Sequence, residues 1–211
     1  MYQPAHGKFA VADPAALLAE LTRHVPATLV TVGANGLRAS ILPMLYDPGD
    51  GDHGTLRGHL ARPNPQWRDA GGDLEALAIL DGPDAYVSPA LYEEKRLTGK
   101  VVPTWNYVTA HVYGRLVVHD DPAWVEALVR RLTAKHEGGR AHPWSMDDAP
   151  PPFLAGQLRA IVGVELRITR IDAKAKLSQN RPEADVAGVV AGLTADARLE
   201  AAAAVEHARH S

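Results

Sequence analysis

Cysteine is absent from the sequence. Its absence excludes disulfides, thiolate catalysis and any metal site that depends on sulfur. Long apolar runs are missing too, since no stretch approaches the ~20 residues that a membrane-spanning helix needs. The N-terminus has no basic segment leading into an apolar one. No secretory signal is therefore visible, and a cytoplasmic protein is the expectation. A surplus of positive charge is also lacking: 22 basic residues face 25 acidic ones, for a net charge of −3. That balance leaves no general footprint for nucleic acid or an anionic membrane, while a local basic patch stays open. The Walker A, HExxH and GxSxG patterns do not occur, and no strand is followed by a Gly-rich phosphate loop and a helix. Dinucleotide, NTPase, zinc-protease and hydrolase chemistry therefore have no support. Ten histidines are scattered along the chain without converging ligand spacing, so no metal is expected.

What is present centres on residues 55–67, TLRGHLARPNPQW. The segment reads as a strand, a tight corner and a helix start, with Asn64 as N-cap and Pro65 at the first helical position. A helix start offers free N–H groups to an anion, and Arg57, His59 and Arg62 crowd the same bend. A phosphate site and a solvated surface corner are equally open on these residues alone.

The rest of the chain is rich in turn-linked extended segments. A helix is predicted over 13–24. A hairpin is predicted with strands at 28–32 and 37–46 around Asn35-Gly36. Further strands are expected at 74–80 and 85–88, separated by a Gly82-Pro83 turn. Residues 93–100 read as a loop, then strands follow at 101–106 and 108–119. A helix over 121–136 is capped by Asp121. Residues 138–152 read as a loop, 162–171 as a strand, and 182–208 as one or two helices broken near Gly192. Six or seven strands with peripheral helices favour a mainly β (α+β) fold, a small antiparallel barrel in a single domain with 182–208 as a helical appendage.

Six segments in order carry a resemblance: MYQP, LPML, GHLARPNPQW, GPDAYVSP, VPTWNY and KLSQNR. Together they resemble the PaiB family of FMN-binding negative transcriptional regulators over nearly the whole chain. Ile41 stands where that family usually has His. The resemblance implies a Greek-key split barrel related to pyridoxamine phosphate oxidase. It also implies a homodimer with non-covalent FMN at its seam. Carried onto this sequence, the cofactor-binding residues would be Ser40, Ile41, Leu42, Gly58, His59, Arg62, Asn64, Trp105, Asn106, Tyr107, Lys176, Gln179 and Asn180. Arg62, His59 and the backbone near Asn64 would hold phosphate, and Ser40, Ile41 and Leu42 would offer strand-edge amides to the flavin.

Read without the resemblance, Trp105-Asn106-Tyr107 is equally a packed strand end or an aromatic wall with an amide for a flat ring. Lys176, Gln179 and Asn180 are equally a capped helix start or a polar cluster for a ligand. No catalytic residue is assigned. A flavin-dependent regulator, a flavin oxidoreductase or reductase, and a flavin carrier or haem-handling protein compete as functions. Direct DNA binding is doubtful, because the last helix is mostly alanine and acids rather than base-reading side chains.

Overall fold

A computed structural model describes residues 1–4, 7–69 and 75–209. The helix start at Pro65 is expected to stop at Gly71-Gly72; that stop and the first residue of the 74–80 strand lie outside the described residues. Among the described residues seven strands form one sheet in the order β2-β1-β5-β6-β7-β4-β3. They are β1 (Ala27–Gly33), β2 (Gly36–Leu42), β3 (Leu45–Asp47), β4 (Thr55–Ala61), β5 (Ala76–Val87), β6 (Thr104–His119) and β7 (Ile161–Lys176). The pairs β1–β2, β1–β5, β3–β4 and β4–β7 run antiparallel. Among the described residues the helices are α1 (Pro14–His24), α2 (Glu93–Leu97), α3 (Pro122–Glu137), α4 (Pro151–Arg159), α5 (Glu183–Ala195) and α6 (Leu199–Arg209). The mainly β reading of the sequence holds.

The chain divides into two compact units. The larger comprises Pro14–Leu80 and His111–Asp172. Its strands alternate buried and exposed residues, as a sheet with one covered face requires. Leu29, Leu56, Leu80, Val112, Val162, Val164 and Leu166 are fully buried. Burying each such leucine contributes roughly 1.5–3 kcal/mol before entropy is counted. Asp121 caps α3 as expected, accepting from the N–H groups of Ala123 and Trp124. Leu128 and Leu132 of α3 pack with Leu45 and Trp124.

The smaller unit comprises Met1–Asp13, Asp81–Ala110 and Ala173–Ser211. In it α5 and α6 bury Val186, Val189, Leu193, Ala201, Ala202 and Val205. Gly192 does not break the helix. A methyl there would lie 2.2 Å from the Leu91 side chain, so glycine permits a close approach inside α5. The break falls instead before Leu199, with Ala197 at φ 57°.

Five other sequence boundaries change. Pro43 separates β2 from β3, where one strand over 37–46 was expected. Conversely β5 runs through Gly82-Pro83, and β6 runs unbroken from Thr104. Residues 93–97 are helical rather than loop, and the loop expected over 138–152 gives way to α4 at Pro151. Acidic residues in the first turn of α2 suit the positive end of a helix, and Pro151 suits the first turn of α4.

Candidate functional site

In the larger unit β4 sends Leu56, Gly58 and Leu60 to the buried side, and Arg57 and His59 to the other. A methyl at Gly58 would lie 2.9 Å from Leu42 Cδ1 and 3.0 Å from the Pro43 carbonyl. Glycine there lets β4 close on the end of β2. The corner that follows is a 3-10 turn, Pro65–Asp69, and not an α-helix. Five residues are too few to sum a useful helix dipole.

Asn64 ties the corner together. Its Oδ1 accepts from the Gln66 N–H at 3.0 Å, and its Nδ2 donates to Ser40 Oγ at 2.9 Å. Ser40 and Asn64, distant in sequence, therefore meet. Gln66 is buried, and its Nε2 donates to the Leu29 carbonyl at 2.9 Å. Trp67 Nε1 donates to the Arg62 carbonyl at 3.0 Å.

The cations of the corner are matched by acids. Arg62 pairs with Asp120 and also donates to the Arg159 carbonyl at 2.7 Å. Arg57 pairs with Asp47, Asp50 and Glu165, the last at 2.8 Å. Glu165 also receives Arg167 at 3.0 Å. Arginine raises its own acids' ionisation: Asp47 and Asp120 are both held below the ordinary carboxylate value, chiefly by hydrogen bonds from Arg131 and Arg62 respectively. His59 differs. Its Nδ1 is buried without a hydrogen-bond partner, and burial pushes its pKa down. It is neutral at pH 7 and able to donate or accept.

His119 and Glu165 were not singled out by sequence reasoning, for they are far apart in the chain and lie in no motif. They line a 380 Å³ cleft with Asp50, Thr55, Arg57 and Arg167. His119 stacks on Trp124 with centroids 3.9 Å apart and planes 6° from parallel.

The end of β2 presents a different surface. Ile41 is 74% exposed and Leu37 75%, on the strand at the sheet edge. Cross-strand register sets Thr28 beside Ile41, Val30 beside Ala39 and Val32 beside Leu37. Register on the other side sets Thr28 beside Ile79 and Val30 beside Leu77. These residues make one apolar face, while Leu42 turns inward and is buried.

In the smaller unit Trp105 is half-exposed, with its ring 6.1 Å from that of Tyr86 in an edge-on contact. Asn106 is buried and hydrogen-bonded to Ser178 at 3.0 Å. Ser178 holds φ at 67°, a left-handed conformation that costs a non-glycine residue energy. Gln179 closes its own turn, accepting from the Leu177 N–H at 2.7 Å and donating to the Ala175 carbonyl at 2.6 Å. Asn180 is exposed. Lys176 Nζ donates to the Trp105 carbonyl at 2.9 Å and to Thr104 Oγ1. Two residues earlier, Lys174 lies against Tyr107, its Nζ 5.4 Å from the ring centroid. Lys174 was missed by sequence reasoning. Strand alternation from Lys176 is the one signal that points to it.

Comparison with known proteins follows this geometry. The family described as "Putative FMN-binding domain" matches residues 1–170. The chain is similar to the protease synthase and sporulation protein PAI 2 of Bacillus subtilis. The two are 36% identical over 163 residues, which is 77% of this chain and 75% of the relative. Among solved structures it is similar to the flavocytochrome Anf3 of Azotobacter vinelandii. The TM-score is 0.59 at 14% identity, over 88% of this chain and 78% of that one. It is also similar to Rv2991, a conserved hypothetical protein of Mycobacterium tuberculosis. There the TM-score is 0.56 at 15% identity, over 87% and 95% of the two chains. These two likenesses bear on the fold alone, and the fold is the split barrel expected from the sequence.

Proposed function

The chain belongs to the FMN-binding domain family, and from that premise we propose a PaiB-like negative regulator of transcription that works as a cytoplasmic homodimer carrying FMN. FMN is the cofactor that the family assigns. The residues present fit such a group. His59 keeps a buried nitrogen without a partner, and Lys176 keeps an ammonium without a carboxylate among the described residues. When bound, FMN supplies a redox-active flat ring.

The chain's own contributions divide by unit. In the larger, the edge of β2 at Ser40, Ile41 and Leu42 offers backbone groups on the side away from β1. Gly58 holds β4 against that strand end, and Asn64 fixes Ser40. Arg62 would reach a phosphate only by giving up its exposed pair with Asp120. Neutral His59 suits a hydrogen bond to a polar edge. In the smaller unit Trp105 and Tyr107 supply aromatic surface, Lys176 supplies charge, and Asn180 is free to turn toward a ligand. Asn106 and Gln179 hold the local backbone through their present bonds.

The observation that carries the homodimer is the apolar face on β1, β2 and β5. An edge strand flanked by exposed Leu37 and Ile41 invites pairing unless something covers it. A second copy of the chain covers it here, and Ile41 in place of a polar residue suits that role. The regulatory role rests on likeness to the Bacillus protein, whose name ties it to protease synthesis and sporulation. The α5–α6 pair buries Val186, Val189, Leu193, Ala201, Ala202 and Val205, and the last helix is mostly alanine and acids rather than base-reading side chains. Regulation is therefore indirect, through flavin state or a protein partner, and not through a recognition helix. Among the described residues no helix is long and apolar enough to cross a membrane.

Sedimentation of the purified protein with and without FMN tests the reading. The native chain should sediment as a dimer that quenches flavin fluorescence saturably at micromolar concentration. Ile41→Asp should sediment as a monomer with weakened FMN binding. A native monomer, or a fully dimeric variant, removes the proposed seam. A promoter-selective nanomolar complex near physiological salt would overturn indirect regulation.

A further inference from the structure

Lys174 is 6% exposed, yet among the described residues no carboxylate pairs with it. Its ammonium is set between two tyrosine rings, 5.6 Å from the Tyr2 centroid and 5.4 Å from that of Tyr107. Among the described residues the ammonium's one hydrogen bond is a long one, 3.4 Å to the Tyr2 carbonyl. Lys176 lies on the same side of β7, since strand side chains repeat every two residues. Its contacts are the Thr104 hydroxyl and the Trp105 carbonyl. Burial and the charge of Lys174 both press its pKa down, while Tyr107 opposes them. Two ammonium groups thus share one strand face with rings, a hydroxyl and carbonyls. Such an arrangement is unfavourable without an anion, because desolvated like charges repel. Each lysine has donor capacity left over, since an ammonium carries three N–H groups.

We propose that Lys174 and Lys176, walled by Tyr2 and Tyr107, form an oxyanion-binding site for a phosphate group. The Arg62 corner differs in chemistry, since its cation already has a carboxylate. The N-terminal segment forms its cover. Gln3 Nε2 donates to the Ala173 carbonyl at 2.8 Å, and the Ala175 N–H donates to the Phe9 carbonyl at 3.0 Å. Tyr2 is thereby held over Lys174. The phosphate is either free in solution or the terminal group of the flavin nucleotide; recognition is the same chemistry, two charge-assisted donors on a dianion.

Titration calorimetry with inorganic phosphate, riboflavin and FMN separates these sources and tests the site. The full chain is compared with Lys174→Gln, Lys176→Gln and Lys176→Arg. The native protein should bind phosphate, and each Gln variant should bind it about tenfold or more weakly. Lys176→Arg should retain most of the affinity, and riboflavin, which has no phosphate, reports binding through the ring alone. If FMN weakens in step with phosphate, the site takes the flavin's own phosphate. If FMN is unaffected and the FMN-loaded protein still binds phosphate, it takes a free anion. Both results support the site. Equal phosphate and FMN affinities in the native chain and Lys176→Gln would overturn it, as would an absence of phosphate binding with no effect of either variant on FMN. Loss of all flavin binding in the native chain would refute the flavin reading while leaving the phosphate arm intact. Should Lys174→Gln fail to fold, the Lys176 pair of variants decides alone.

Discussion

Arg57 on β4 and Lys176 on β7 are both cations on strands, set in opposite surroundings. Arg57 reaches Asp47, Asp50 and Glu165. Lys176 reaches a hydroxyl and a carbonyl, with Lys174 as its charged neighbour. A guanidinium among carboxylates is a finished structural element, with planar donors matched to planar acceptors. An ammonium beside another ammonium is unfinished, and is held there by folding energy from elsewhere. The arginine-rich corner drew attention in the sequence because it is dense in positive charge. The structure shows that density at least partly neutralised, while the less conspicuous lysines are not. Removing charge should therefore damage stability in one place and ligand binding in the other.

The largest effect is expected at Glu165. Its side chain is buried and receives Arg57 and Arg167. Glu165→Ala leaves Arg57 partly buried with one partner fewer. Breaking such a pair from one side costs about 3 kcal/mol. Urea unfolding at pH 7 measures this, and a loss under about 1 kcal/mol would mean that Asp47 and Asp50 suffice. At Lys176 the comparison predicts the reverse. Lys176→Met removes a desolvated charge and keeps the packing stem. Its stability should stay within about 1 kcal/mol of native, on the favourable side. A loss as large as that at Glu165 would make Lys176 a structural residue and erase the contrast.

How much of this was legible in the sequence follows from the range of each interaction. Asp121 before Pro122, or the alternation in β4, is local chemistry, and those elements appear where expected. The loop expected over 138–152 overruns the start of α4 because Pro150, Pro151 and Pro152 look like breakers, although proline is tolerated in a first helical turn. Gly82-Pro83 looked like a turn, yet β5 passes through it. Local signals could not weigh the pairing that carries the strand onward. Ser40, Gly58 and Asn64 belong together through contacts that close between β2 and β4, and only the family resemblance assembled them. Glu165 and His119 belong to no motif and needed the fold. Lys174 was legible in principle, two residues before Lys176, but its burial and its missing carboxylate are facts of three-dimensional packing.

The smallest effect concerns His59, which shares the corner with the arginines but has no acid beside its buried nitrogen. Burial holds its pKa below the ordinary value of 6.5. His119 is shifted the same way, first by burial, with Glu165 opposing. In the unfolded chain both rings take up a proton as pH falls through about 6.5, whereas in the folded protein they resist until lower pH. Below that point the unfolded state binds more protons, so stability declines as pH falls from about 7 towards the lowered folded values. Asp47, Asp120 and Glu165 are held below their ordinary carboxylate values. They keep their charge through this window and begin to cost stability only in stronger acid. Histidine is thus the source of any slope between pH 7 and pH 5 that these groups produce. His59→Gln keeps a polar side chain at the site and removes its titration. Its melting temperature should fall less than the native protein's across that interval, with the residual slope carried by His119. Parallel melting curves for the two proteins would show that His59 takes up its proton in the folded state as readily as in water, and that the pocket around it opens to solvent.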